Sequence, residues 1–92
     1  MQDAFAARGD QIQQRLLDRE QTASDTDLFP LGYMIPQIEL VLERADYKAN
    51  EVTAEDFDVT YWGFLEQAFV EDGMSIEDKT AIERLWHDVS HT

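Results

Sequence analysis

Apolar residues return along this chain at the three-and-four spacing of an amphipathic helix in four separate segments, and no stretch alternates apolar with polar residues for long. A chain patterned this way buries its apolar stripes only by packing helix against helix. Its 92 residues suffice for one such core and not for two. Cysteine is absent, which removes disulfides, thiolate catalysis and sulfur-based zinc sites and leaves packing alone to hold the fold. The expectation is an all-α, compact four-helix bundle-like architecture, with residues 1–92 forming a single acidic helical domain.

Capping and breaking residues set the boundaries. A first helix over 3–22 carries a thin stripe of Phe5, Ile12 and Leu16, with Gly9 and Ala23 along it. Gly9 costs a helix about 1 kcal/mol relative to alanine, so this helix is expected to be the least stable of the four or to fray at its start. Ser24, Asp25, Thr26 and Asp27 are cap residues, and Pro30 argues against a continuous helix through Leu28 and Phe29. That predicts a short helical turn near 25–29. The main second helix then runs over 32–46, with Pro36 in or just past its first turn and Leu31, Met34, Ile35, Ile38, Val41, Leu42 and Ala45 on one face. Residues 47–52 read as a loop. Thr53 caps a third helix over 54–71, which Asp72-Gly73 ends through a left-handed residue. Ser75 opens a fourth helix over 76–90, with Ile82, Leu85, Trp86 and Val89 on one stripe.

The third helix is the most informative. Phe57, Tyr61, Phe64 and Ala68 share a face that Leu65, Phe69 and Trp62 widen to about 160°, more than one neighbour needs. Either this helix is central and touches two others, or a Trp62 and Phe69 edge stays exposed to dock a partner. Gly63, inside the same helix, reads as a site of close helix approach. Tyr33 and Leu40, seven residues apart, fall opposite the main apolar face of the second helix, where either the first helix or a partner covers them.

Twenty Asp and Glu against seven Lys and Arg give a net charge of −13. Such a balance repels phosphates, and the only basic cluster is three arginines in the first helix, so no nucleic acid is expected as a partner. Residues 1–23 hold Arg8, Arg15 and Arg19 against Asp3, Asp10, Asp18 and Glu20, a net of −1, which leaves −12 for residues 24–92. That region steers a basic protein surface toward itself. No run is long enough to span a membrane, so no membrane partner is expected. The N-terminal stretch lacks a continuous apolar segment of the signal-peptide kind, and a cytoplasmic location is the default.

Chemistry-bearing patterns are few. Carboxylate pairs such as Glu55 with Asp58 arise by chance at this acid content, Ser24 and Ser75 read as caps, and no nucleophile elbow, phosphate loop or dinucleotide motif occurs. The expectation is therefore no enzyme, no catalytic residues and no cofactor. Glu83, His87 and His91 stand four apart, a weak candidate metal trio without a fourth ligand.

Two blocks carry a family resemblance. The first is Ala23-Ser24-Asp25, Asp27-Leu28-Phe29 and Gly32-Tyr33; the second combines Leu65-Glu66 and Ala68 with Gly73, Ser75, Asp78 and Trp86. In these, across most of residues 23–89, the chain resembles the YfcL family, small bacterial proteins without an assigned activity. The resemblance implies an all-helical domain in a bacterial cytosol and carries over no catalytic residue. Pro30 and Pro36 depart from the family pattern, and the resemblance places the start of the second helix at Ser24 rather than near residue 32.

These observations favour a cytoplasmic interaction or regulatory protein with Tyr33, Leu40, Trp62 and Phe69 as its protein-binding residues. Two alternatives stand beside it. One is a homodimeric structural protein using the same stripes, so that the chain is expected as monomer or homodimer; the other is a small-ligand-binding or metal-binding bundle.

Overall fold

In a computed structural model, which describes residues 3–48 and 50–91, the chain forms four helices: α1 (Ala4–Glu20), α2 (Asp25–Arg44), α3 (Ala54–Glu71) and α4 (Ile76–Ser90). No strand occurs among the described residues. Ala49, inside the loop expected over 47–52, lies outside them. The all-α bundle expected from periodicity is the observed fold.

The helix ends follow local chemistry. Asp3 caps α1, its carboxylate accepting from the Ala6 amide at 2.7 Å. Thr53 and Asp56 form a reciprocal capping box at the start of α3, and the Ser75 hydroxyl accepts from the Asp78 amide at the start of α4. Gly73, at φ +60°, ends α3. The Met74 amide reaches back to the Phe69 carbonyl and the Gly73 amide to that of Val70, the paired bonds of a Schellman turn.

The start of α2 corrects the reading from proline stereochemistry. The helix begins at Asp25 behind Ser24 and runs through both Pro30 and Pro36, so the separate turn over 25–29 and the later start near residue 32 are overturned. Each proline removes one amide from the i→i−4 ladder. Tertiary packing outweighs that loss, because the same register buries Pro30, Leu31, Met34, Ile38 and Val41 on one face. Gly32, the residue whose carbonyl Pro36 leaves without its usual donor, is exposed, so solvent can reach that carbonyl.

All four helices contribute to one buried cluster, from Phe5, Ile12 and Leu16 of α1 to Ile82, Leu85 and Val89 of α4. α1 and α2 each pack against all three other helices, whereas α3 and α4 meet only sparsely. α1 is bound into the bundle by its arginines. Arg8 makes a two-pronged contact with Asp58 of α3 at 2.8 and 3.0 Å and donates to the Ser90 carbonyl at 2.8 Å. Arg15 donates to the Val89 carbonyl at 2.7 Å, and Arg19 lies 3.6 Å from Asp88. The first two serve the negative end of the α4 dipole. No helix among the described residues is long and apolar enough to cross a membrane.

Candidate functional site

Sparse contact between α3 and α4 leaves an open cleft of about 540 Å³, and its floor is aromatic. Trp62 projects from α3 and Trp86 from α4; their rings lie nearly parallel, 15° apart, with centroids at 6.4 Å. Trp86 leans in turn on Tyr61, at 5.2 Å, whose ring is fully buried and whose hydroxyl donates to the Met34 carbonyl at 2.7 Å. Burial pushes the Tyr61 phenol far up, so it stays a neutral donor. The tryptophans thus stand on a rigid base while their outer faces remain half-exposed.

Val59 and Gly63 line the same cleft from α3, and Glu55 and Glu66 rim it. A second hollow continues past Trp62 toward Phe69, Lys79 and Glu83. Asp58, also on the rim, is held by Arg8, but Glu55, Glu66 and Glu83 form no hydrogen bond or ion pair among the described residues. Apolar floor and an excess of carboxylates over the single lysine there, Lys79, therefore coincide. The arrangement favours a cation-bearing, partly apolar ligand: aromatic faces attract cations, and carboxylates in a half-sheltered cleft strengthen that attraction.

The four residues expected to bind a partner do not share one surface. Phe69 is 5% exposed and belongs to the core, which corrects its reading as part of an exposed edge: the end of α3 is closed over by Tyr33 on one side and Trp62 on the other, with ring centroids at 6.1 and 6.0 Å. Tyr33 is half-buried and donates to Asp72 at 2.8 Å. Its phenol is pushed up to about 12, first by partial burial, then by that hydrogen bond and by the charges of Asp72 and Glu71. So it is α3, rather than α1, that covers the buried side of Tyr33. Leu40 lies in a separate groove of about 410 Å³ between α2 and α3, beside Phe64, Gln67 and Arg44. Trp62 alone reaches the α3/α4 cleft as a solvent-facing aromatic, joined there by Trp86, which periodicity assigned to the core stripe.

Gly63 overturns a second expectation. A β-carbon built on it meets nothing within 4 Å, so no neighbouring helix approaches it. The glycine that serves close approach is Gly9, where a β-carbon would stand 3.0 Å from both Leu42 Cδ2 and Phe57 Cε2. Among the described residues no group of three His, Cys, Asp or Glu is placed to hold a metal ion, so Glu83, His87 and His91 do not converge. The two histidine rings lie 4.3 Å apart, tilted by 34°, and His91 Nδ1 lies 2.8 Å from the His87 carbonyl, closing the last turn of α4. A further cleft of about 500 Å³ between α1, α2 and α4 sets Arg19 and Arg84 against Asp27 and Asp88, a balanced set with no preference for one sign of ligand.

Compared with known proteins, the chain matches no family model, no curated protein and no solved structure.

Proposed function

We propose that this chain is a non-enzymatic interaction or regulatory protein that binds a basic surface of another protein through the α3/α4 cleft, without a cofactor. One observation carries the reading: two half-exposed tryptophans, Trp86 resting on a buried tyrosine and Trp62 on Trp86, share their cleft and its continuation with Glu55, Glu66 and Glu83, three carboxylates that among the described residues have no ion pair and outnumber Lys79, the one lysine or arginine lining it. Aromatic anchors ringed by charge are the composition of binding hot spots, and the field of a −13 chain speeds encounter with a cationic partner. The arginines of α1 do not offset this field at the cleft, because they are engaged with Asp58, Asp88 and the end of α4. The resemblance to the YfcL family adds a bacterial cytosolic setting to the proposal.

Affinity capture from a bacterial lysate tests it, run in parallel with the wild-type chain and a Trp62→Ala, Glu66→Gln, Glu83→Gln variant at low and raised salt. Proteins held by the wild type should be basic, should be released as salt screens the carboxylates, and should not be retained by the variant. Identical retention by both chains would sink the assignment to this cleft.

A further inference from the structure

α3 carries a second seam that no part of the described chain covers. Val59, Gly63, Glu66 and Val70 follow one another at spacings of four, three and four, the step of a coiled-coil face. Val59 is 69% and Val70 80% exposed, and Trp62 lies alongside. Gly63 weakens the middle of α3 by about 1 kcal/mol relative to alanine. Neither of the usual reasons for a helical glycine applies to it, since its φ is not positive and open space surrounds its missing β-carbon.

Resting on the interaction reading above, we infer that the occupant of the α3/α4 cleft is a basic amphipathic helix of a partner protein, its backbone drawn against Gly63 and a lysine or arginine set on Glu66. Its apolar stripe lies on Val59 and Trp62 in the cleft and runs on to the exposed Val70 beyond it, and Glu55 and Glu83 take cations from its flanks. The seam from Val59 to Val70 is about 16 Å long at 1.5 Å per residue, which matches three turns of helix. A second copy of this chain is a poor occupant, because it brings no basic stripe to the seam and adds −13 to −13. An extended segment finds no sheet edge to join among the described residues.

Trp62 and Trp86 are the chain's two tryptophans, and both line the cleft, so their emission reports occupancy directly. The probe is a tryptophan-free peptide of about 14 residues of leucine, alanine and lysine, with leucines at i, i+3, i+4 and i+7. Its control is an isomer of the same composition in which leucine and lysine alternate. The helical peptide should shift the emission to the blue and bind about ten-fold tighter than the isomer, by emission and by calorimetry. Gly63→Gln, which fills the seam while improving helix propensity, should weaken binding about ten-fold without loss of thermal stability. Gly32→Gln, equally exposed on α2 and outside the cleft, should bind like the wild type. Equal affinity for the two peptides would overturn the helical occupant and leave the basic-partner reading standing. Failure of both peptides to bind would overturn both. Unchanged affinity in Gly63→Gln would overturn the seam.

Discussion

Gly9 and Gly63 both interrupt helices, and their surroundings give them opposite roles. Gly9→Ala gains helix propensity but drives a methyl group to within 3.0 Å of Phe57, whose ring is fully buried between Phe5 and Tyr61 and has no room to yield. We expect a net loss of about 1 kcal/mol in urea denaturation. Gly63→Ala meets nothing and should stabilise the fold by about 0.5–1 kcal/mol in the same measurement. Opposite signs from one substitution at two helical glycines form the expected outcome, and equal signs would contradict it. The tyrosines make a second residue-scale prediction. All three have raised phenol pKa values, Tyr33 to about 12, Tyr47 chiefly through burial and then Asp3, and Tyr61 through deep burial. A raised pKa means that the native state holds the proton more tightly than the unfolded chain. Stability from this source is whole below pH 10, the ordinary tyrosine value, and falls as pH rises through about 12. Ultraviolet titration should therefore show less phenolate at pH 10 in the folded protein than in the unfolded chain, and Tyr33→Phe should reduce the stability lost between pH 10 and 12.

At the scale of elements, α2 holds two prolines because its register buries more than its backbone loses. The two positions differ. Pro30 is buried, so replacing it restores an amide but removes packed surface; Pro36 is exposed, and Pro36→Ala restores the bond to the Gly32 carbonyl at little packing cost. Pro36→Ala should raise stability by about 1–2 kcal/mol, read as a higher denaturation midpoint. The α1 arginines act between elements. Arg8 is the only residue whose side chain bonds α1 to both α3 and α4 among the described residues, through Asp58 and the Ser90 carbonyl. Arg8→Met keeps much of the stem but leaves Asp58 half-buried without its partner. The expected cost is about 2 kcal/mol, and Asp58→Asn in the same chain should recover part of it.

At the scale of the whole molecule, one core supports a surface with −13 of net charge. Mutual repulsion of the carboxylates opposes compactness at low ionic strength, and salt screens it. Thermal unfolding should shift upward by roughly 4–8 °C, about 1 kcal/mol, between a few millimolar and about 0.15 M sodium chloride. The sign is informative, because the same salt should weaken a basic ligand at the α3/α4 cleft. A partner released by salt from a chain that salt stabilises is released by screening and not by unfolding.

What was legible in the sequence was whatever depends on near neighbours. The caps Thr53 and Ser75, the left-handed Gly73, the bounds of α3 and α4 and the buried stripes of all four helices follow from spacing and local hydrogen bonding, which a linear reading contains. The start of α2 did not follow, because proline's local cost is visible in sequence while the burial that outweighs it is contributed by other helices. Nor did the site. Periodicity marks Trp62 and Trp86 as apolar and Phe69 as their equal. Only the divergence of α3 from α4 leaves the tryptophans half in water while Phe69 closes under Tyr33. Solvent exposure is a property of where helices cross, and the three-and-four spacing of a single helix does not encode it.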